Sequence, residues 1–320
     1  AVHQGWRAGG DDAANHIRGL AAAFPEFDLI LGAHSHQAVA WKTVAGVAYS
    51  QAGSYGQCLG VARLVFDTET RRLVSKHLSL QDLPADAPAD DELARLAAPG
   101  LAAARRHLGV RIGAAAADLK AGSRWPGQSA VQNLIARAIA ERAGAQVVFH
   151  RALTRETLAA GPIYRRDLWR IVPYENFIGV ARLTTNELAE ILDENAGFYR
   201  TREFRGVSGL TYNLDPDAPP GARVSALCLA DPPSDGEPDA RIRVAFNSYD
   251  MASAGGRLPR LRAILDGPGS DLEELADTDT REAVEAYIRR HAPLEVRAEP
   301  GARVARKTRA KQAAATRGPH

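Results

Sequence analysis

Two histidines, one residue apart, follow an apolar run near the start of the chain. Residues 29–36 read Leu-Ile-Leu-Gly-Ala-His-Ser-His, and the first three are typical of a buried strand. His34 and His36 would point to the same side if the strand continued, because side chains alternate along a strand. A tight turn opened by Gly32 would instead let them diverge toward two neighbouring ions. Neutral imidazole suits zinc, manganese or iron, so this loop is a candidate metal site.

A third histidine, His3, precedes this loop by one predicted helix and one predicted strand. Apolar residues at helical spacing indicate the helix, which Pro25 ends: Ile17, Leu20, Ala21 and Phe24. The pattern predicts a βαβ unit whose two strands each end in histidine, at the edge where open α/β sheets place their sites. A lone His-x-His is a weak signal, and two ordinary loop histidines are the alternative interpretation.

The histidine segments resemble a known family. His3-Gln4-Gly5 and Gly-Ala-His-Ser-His at 32–36 are similar to the last two metal motifs of the calcineurin-like metallophosphoesterases. The resemblance implies two divalent ions such as zinc or manganese, with His3 and His34 sharing one and His36 binding the other. The family's earlier motifs, Asp-x-His, a bridging Asp and an Asn-His that includes the catalytic histidine, should all lie upstream of His3 and are absent there. We therefore assign no catalytic residue and expect the chain alone to bind metal weakly and turn over little substrate.

Length and composition indicate an ordinary globular protein. A chain of 320 residues suggests two domains, and 45% apolar with 24% charged residues is typical of folded proteins. The sequence contains no run of about 18 apolar residues, so it predicts no membrane span. Cys58 and Cys228 form neither a disulfide framework nor a zinc motif. The only methionine is Met251 and none starts the chain, which favours a piece of a longer product. No signal peptide is visible.

The basic residues are unevenly distributed. Six of them and no acidic residue follow Glu299, so residues 1–300 are net acidic although the whole chain is +2. This composition predicts a basic disordered tail over 301–320. We do not expect nucleic-acid binding, although a tail that bound it would show affinity falling steeply with salt.

Changes in composition divide the chain. Strands predicted at 44–50, 60–67 and 73–80 complete a domain over 1–84. A linker helix over 85–108 follows, in which Pro99-Gly100 should break or kink the helix. Residues 109–300 then show helical and strand patterns in turn, which predicts a mixed α/β domain.

The patterns of this second domain are specific enough to place elements. The predicted helices are at 129–143, closed by Gly144, at 163–172, and after capping boxes at Thr184-x-x-Glu187 and Asp279-x-x-Glu282. The predicted strands are at 147–149, 177–183, 207–214, 224–229 and 241–247.

Three segments of this domain resemble the 5′-nucleotidase C-terminal domain. They are Arg-Glu-Thr-Leu-Ala-Ala-Gly-Pro-Ile at 155–163, Val-Pro-Tyr-Glu-Asn at 172–176, and Asn-Ser-Tyr at 247–249 with Gly255-Gly256. That domain follows the metallophosphoesterase domain in bacterial periplasmic 5′-nucleotidases, UDP-sugar hydrolases and 2′,3′-cyclic-nucleotide phosphodiesterases. The resemblance implies an α/β (α+β) fold: an incomplete metallophosphoesterase sandwich, a linker helix and a mixed α/β C-terminal domain. It also implies a periplasmic or extracellular location.

The resemblance also implies roles for individual residues. Tyr174 and Tyr249 match two aromatics that clamp a nucleobase, each stacked base being worth roughly 1–3 kcal/mol. Arg155 matches an arginine that reaches toward phosphate or carboxylate oxygens. Asn176 and Asn247 match polar positions beside the aromatics. The matched family role is substrate binding for all five.

The chain departs from the family pattern at two places. Five residues, 250–254, separate Tyr249 from Gly255, and Arg257 stands where the family has an Asp that contacts the nucleoside. Residues 149–154 replace a common run of glycines. Preference among nucleotides therefore cannot be inherited from the family.

The activity implied is hydrolysis of nucleotide phosphomonoesters by two metals, which activate a bridging water and neutralise phosphoryl charge. A hydrolase of this kind would serve nucleotide catabolism. The alternative is a noncatalytic nucleotide-binding module or a degenerate remnant. Metal motifs in the upstream reading frame would favour the enzyme, and their loss would favour the module.

Overall fold

The computed structural model describes residues 1–12, 14–123, 127–232 and 240–304. Contacts divide the chain into two compact units, Ala1–Pro99 and Gly100–His320. The division falls within one helix, inside the segment 85–108 that the sequence assigns to a linker. We call the two parts unit 1 and unit 2.

Unit 1 contains a small mixed sheet and a separate hairpin. Its elements are α1 (Ile17–Ala23), β1 (Leu29–Gly32), β2 (Ala38–Val44), β3 (Val47–Ala52), β4 (Cys58–Phe66) and β5 (Leu73–Asp82). The sheet has the order β1-β3-β2, with β1 parallel and β2 antiparallel to β3, and β4 pairs with β5. Its core consists of Ile17, Ala21, Ile30, Val44, Val47 and Tyr49.

Two expectations for unit 1 are corrected. The strand predicted over 44–50 is the end of β2 and most of β3, separated by Ala45 and Gly46 at φ 46° and 86°. Two residues of positive φ make the tight hairpin turn that reverses the chain there. Residues 1–5 form no strand. They run beside β1 through two hydrogen bonds, from Val2 N to Leu31 O and from Ala33 N to Gln4 O, both 2.8 Å.

Helix α2 (Asp91–Leu108) spans the boundary between the units. It continues through Pro99, so it does not break there, and the kink stays a prediction. A proline removes one backbone donor, whereas the turns on either side keep theirs. Acidic residues in the first turn and basic residues in the last complement the helix dipole.

Unit 2 is a mixed α/β domain, as expected. Its elements are β6 (Arg111–Ala115), α3 (Ala130–Ala143), β7 (Val147–Arg151), β8 (Gly161–Tyr164), α4 (Arg165–Ile171), β9 (Phe177–Leu183), α5 (Thr185–Ala196), β10 (Arg205–Ser208), β11 (Leu210–Leu214), β12 (Val224–Leu229), β13 (Ile242–Asn247), α6 (Ser248–Met251), α7 (Pro259–Leu265), β14 (Glu273–Asp279), α8 (Thr280–His291) and β15 (Ala302–Val304). The sheets have the orders β10-β7-β13-β9-β14, β12-β11-β15 and β6-β8.

The five-stranded sheet separates two apolar cores. Along β7, Val148 packs with residues of α3 and α8, whereas Val147 and Phe149 pack with residues of α5 and α7. This alternation is the strand period of two. The sheet is therefore buried on both faces, and function must be sought at its ends.

The predicted helix end at Gly144 and both predicted capping boxes are confirmed, and Ser129 adds a further cap. The Ser129 side chain accepts a hydrogen bond from Gln132 N, and Gly144 ends α3 in the left-handed region at φ 59°. Both capping boxes form, Thr184 with Glu187 and Asp279 with Glu282. Local side-chain chemistry thus sets these helix ends.

Other expectations for unit 2 are corrected. The strand predicted over 207–214 is two strands in different sheets, β10 and β11, separated by Gly209 at φ 88°. A Cβ at Gly209 would collide with the carbonyl of Gln146, so only glycine allows this crossing. Ala302–Val304, placed in the predicted tail, pairs in parallel with β11. The remainder of that tail, 305–320, lies outside the described residues.

Candidate functional site

The histidine loop begins where β1 ends at Gly32. His34 and His36 both take left-handed backbone conformations, at φ 63° and 55°. The His3 and His34 rings meet edge to face, with centroids 5.2 Å apart. The His36 ring instead lies beside Tyr55, at 5.8 Å. The turn therefore separates the two histidines of the His-Ser-His motif and pairs the first of them with His3.

A polar network that the sequence did not reveal holds this loop. Tyr49 OH donates to Gln51 Oε1 at 2.6 Å, and Ser35 Oγ donates to the same oxygen at 3.2 Å. Burial raises the pKa of Tyr49, which keeps its hydroxyl protonated as a donor. The backbone N–H of Trp6 donates to Tyr49 OH at 3.0 Å, so the same hydroxyl joins the first segment to the loop.

Close packing also fixes the first segment against the loop. A Cβ at Gly5 would collide with the Ser35 side chain. The Gly5 N–H donates to Asn15 Oδ1 at 2.8 Å. Glycine at this position thus lets His3 approach His34.

The donor set fits part of a metal site. Two adjacent imidazoles can ligate one ion, and a third directed elsewhere can ligate another. Among the residues that the structure describes, however, no group of three or more His, Cys, Asp or Glu side chains is arranged to hold a metal. A complete site would need further ligands, above all carboxylates.

Three loops of unit 2 converge at one end of the five-stranded sheet. Strands β13 and β9 are antiparallel with Asn247 opposite Ile178, so the segment before β9 and the helix after β13 share that end. Strand β7 is parallel to β13, which brings the segment after β7 to the same end. Phe177 N donates to Ser248 Oγ at 3.2 Å across the junction.

The predicted substrate residues lie on these three loops. Tyr174 is 56% exposed and Tyr249 is 37% exposed. Arg155 is exposed on the segment between β7 and β8, and Asn176 is half-buried beside Tyr174. The topology therefore gathers these residues at one sheet edge although up to 94 positions separate them in sequence.

Asn247 is held by its own helix. Its side chain is buried, its Oδ1 accepts from Asp250 N at 2.9 Å, and its Nδ2 donates to Asp250 Oδ2 at 3.1 Å. It is the N-cap of α6, the short helix that carries Tyr249. Contact with substrate stays a prediction for Asn247, whereas its capping role is observed.

The first turn of α8 supports the Tyr174 loop. The carbonyl of Asn176 accepts from both Thr280 N and Thr280 Oγ1 at 3.0 Å. The nearly buried Arg281 pairs with Glu175 at 2.9 Å, and its guanidinium lies 4.8 Å from the Trp169 ring centroid. These contacts hold the backbone of Asn176 and the side chain of Glu175, which follow Tyr174 directly.

A buried ion pair lies next to Tyr249, because Asp250, one of its members, follows Tyr249 in the chain. Arg205 and Asp250 have no solvent-exposed side-chain surface, and Arg205 Nε and Nη2 donate to Asp250 Oδ1 at 3.1 and 3.0 Å. Burial raises the pKa of Asp250, although the Arg205 guanidinium acts in the opposite direction. Two backbone–side-chain hydrogen bonds of 2.9 Å tie Arg205 to Asn195 on α5. Sequence reasoning missed this pair, because nothing in the pattern links positions 205 and 250.

His150, at the end of β7, is a buried neutral histidine. Burial lowers its pKa to about 4. Its Nε2 lies 3.3 Å from Ser208 Oγ on the neighbouring β10. The imidazole is therefore uncharged at pH 7.

Comparison with known proteins gives the class. Residues 111–262 match the family model of the 5′-nucleotidase, C-terminal domain. This segment of the chain is therefore similar to the 5′-nucleotidase C-terminal domain, in agreement with the resemblance that the sequence motifs carry.

Solved structures share the fold. The chain matches a putative 5′-nucleotidase from Staphylococcus aureus, solved with alpha-ketoglutarate, at a TM-score of 0.72 and 16% identity, covering 94% of this chain and 62% of that one. It matches a 5′-nucleotidase precursor from Thermus thermophilus at a TM-score of 0.55 and 22% identity, covering 88% and 60%.

Two curated relatives come from Bacillus subtilis (strain 168). Endonuclease YhcR is 26% identical over 261 residues, which is 79% of this chain and 20% of that protein. The uncharacterized metallophosphoesterase YunD is 27% identical over 175 residues, or 54% and 37%. The chain thus spans about a fifth of one relative and over a third of the other.

In the part of the chain that the structure describes, no helix has the length and apolar character to cross a bilayer.

Proposed function

We propose that this chain is the C-terminal part of a dimetal nucleotidase that hydrolyses nucleotide phosphomonoesters. Unit 2 would hold the nucleoside, and the histidine loop of unit 1 would supply metal ligands. One observation carries the proposal: the topology places two part-exposed tyrosines, Tyr174 and Tyr249, on loops at the same end of one sheet. The family match supports the same interpretation.

The chemistry of the tyrosines suits a nucleobase. A base is flat and poorly solvated on its faces, so aromatic rings recover stacking and apolar burial. Both tyrosines precede residues that are held in place: Glu175 and Asn176 contact Arg281 and Thr280, and Asp250 pairs with Arg205. Little conformational freedom is then lost on binding, and binding energy from the nucleoside can help to place the phosphate.

The metal ligands follow the resemblance. His3 and His34 would hold one divalent ion, and His36 would hold the second. When bound, such ions supply an activated water and neutralise phosphoryl charge. The chain's own contribution is to orient the imidazoles through the Tyr49–Gln51 network.

The hairpin of unit 1 supports the proposal that this unit is part of a larger sandwich. Strands β4 and β5 form a two-stranded sheet with exposed apolar side chains on both faces: Leu59, Val61, Leu64, Val65, Phe66 and Val74. An isolated two-stranded ribbon is marginally stable in water, and such exposed apolar surface is usually covered. On the family resemblance we place the full protein in the periplasm or outside the cell.

Removing either aromatic should weaken nucleotide binding. Tyr174→Ala and Tyr249→Ala should each lower the affinity for adenosine 5′-monophosphate roughly 5- to 150-fold, because each loses one stacking contact. Isothermal titration of the full chain measures this change. Phe24→Ala, which truncates a similarly exposed aromatic at the end of α1, is the control and should leave affinity unchanged. Unaltered affinity in both tyrosine variants would refute the clamp.

The chain alone should bind zinc weakly. Three imidazoles leave each ion with one or two protein ligands, whereas tight zinc sites use three or four. Zinc titration followed by calorimetry should show affinities that fall further in His34→Ala and stay the same in His77→Ala, an exposed histidine on β5. Two tight sites, or phosphatase activity that a chelator abolishes, would contradict the expectation.

A noncatalytic nucleotide-binding module is the second candidate, favoured by the lack of a metal-holding group among the described residues. Phosphate release from a panel of nucleotides by the full-length product separates the two functions. Release that needs divalent metal supports the nucleotidase, and binding without release supports the module.

A further inference from the structure

The surroundings of Tyr249 are cationic. The Arg151 guanidinium carbon lies 5.6 Å from the Tyr249 ring centroid. Arg257 Nη1 donates to Tyr249 OH at 3.0 Å and to Ala254 O at 2.8 Å. One arginine therefore lies over the ring, and the other lies at its hydroxyl end.

The nearby carboxylates neutralise these arginines only in part. Asp250 is engaged with the buried Arg205. Glu203 Oε2 lies 3.7 Å from Arg151 Nη1, 3.8 Å from Arg205 Nη1 and 3.9 Å from Arg257 Nε, all beyond ordinary hydrogen-bond distance. Three cations thus share two anions, and the excess positive charge falls on the part-exposed pair Arg151 and Arg257.

Unmade hydrogen bonds mark the same place. Within the described parts of the chain, Glu203 Oε2 and Arg151 Nε are shielded from solvent and have no hydrogen-bond partner. A half-buried guanidinium with unused donors favours an anionic ligand, because its planar fork matches phosphate and carboxylate oxygens.

Donor chemistry decides which ligand fits. A carboxylate at position 257 could accept hydrogen bonds from free sugar hydroxyls, whereas a guanidinium can only donate. We propose that the Arg151–Arg257 pair binds a second phosphate on the sugar, so that the preferred ligand is a nucleoside bisphosphate. This inference rests on the proposed nucleotide site and names the substrate class of that site.

The test compares adenosine, adenosine 5′-monophosphate and adenosine 3′,5′-bisphosphate by isothermal titration to the full chain. The bisphosphate should bind about tenfold or more tightly than the monophosphate, since hydrogen bonds to charged groups are the strong ones. Arg257→Gln should abolish that preference, measured as the ratio of the bisphosphate affinity to the monophosphate affinity. Arg182→Gln, which removes the same charge from an exposed arginine on β9, should preserve the preference.

Two outcomes would overturn the inference and are distinguishable. Equal affinity for the two nucleotides, with Tyr249→Ala still weakening both, would leave the clamp in place and remove the second phosphate. No binding of any of the three compounds would remove the nucleotide site and this inference together. Circular dichroism of Arg257→Gln checks that its fold is intact, and Arg151→Gln gives a second, independent loss of the preference.

Discussion

Replacing Asp250 by alanine should destabilise unit 2 by about 3–5 kcal/mol, because the substitution leaves the Arg205 guanidinium buried without a counter-ion. Both side chains are fully buried, and Arg205 donates two hydrogen bonds to one oxygen of Asp250. Asp250 also binds the cap of α6 through Asn247. Urea denaturation of the chain, compared with wild type, measures the loss.

The matched control is Asp266→Ala. This aspartate pairs with Arg262 four residues earlier on the surface of α7, and such exposed pairs contribute about 0.3–0.5 kcal/mol. The double variant Arg205→Met/Asp250→Ala should recover part of the loss, since the uncompensated charge is then gone. A single-variant loss as small as that of the control would mean that the pair contributes no net stability.

Arg205→Met and Asp250→Ala should also affect the nucleotide site. Asp250 follows Tyr249 directly, so its loss frees the turn that carries the ring. Nucleotide affinity should fall in Asp250→Ala even where the unit remains folded, and should stay unchanged in Asp266→Ala. On this expectation the buried pair positions the turn that carries Tyr249.

Local sequence signals predict many of the helices and strands of this fold. Ser129, Thr184 and Asp279 begin helices because their side chains cap backbone N–H groups within the same turn. The strand at Phe177–Leu183 and the hairpin partner of β11 follow from periodicity and turn residues. These signals are short-range, so a single sequence displays them.

The missed elements depend on long-range contacts. Strand β14 reads Glu-Glu-Leu-Ala-Asp-Thr-Asp and carries little apolar pattern, because it is the edge strand next to β9. The break at Gly209 follows from the nearby Gln146 carbonyl, which no local rule includes. Propensity cannot supply what tertiary packing imposes.

The candidate site shows the same division. Recognisable motifs predict Tyr174, Tyr249 and Arg155 as substrate-binding residues. The residues that support them, such as Arg205, Thr280 and Arg281, lie far away in sequence and would be read as ordinary helix and strand residues. A motif names the groups that would meet a ligand, whereas the positions that hold those groups emerge only from the fold.

His150 should make the stability of unit 2 depend on pH. Its pKa is about 4 in the folded chain and has an ordinary value of 6.5. Below pH 6.5 the unfolded chain binds a proton that the folded chain rejects, so stability falls as pH falls from 6.5 toward 4, by about 3 kcal/mol. Above pH 6.5 this contribution is complete and constant.

His150→Gln isolates the effect, because glutamine keeps a polar group near Ser208 and cannot titrate. Urea denaturation of wild type and His150→Gln at several pH values between 4 and 8 should give curves that run parallel above pH 6.5. Below that value they should converge or cross, since wild type alone loses the histidine contribution and both lose that of the carboxylates. Curves that stay parallel down to pH 4 would show that the folded chain accepts the proton freely, and hence that the imidazole is not held neutral by burial.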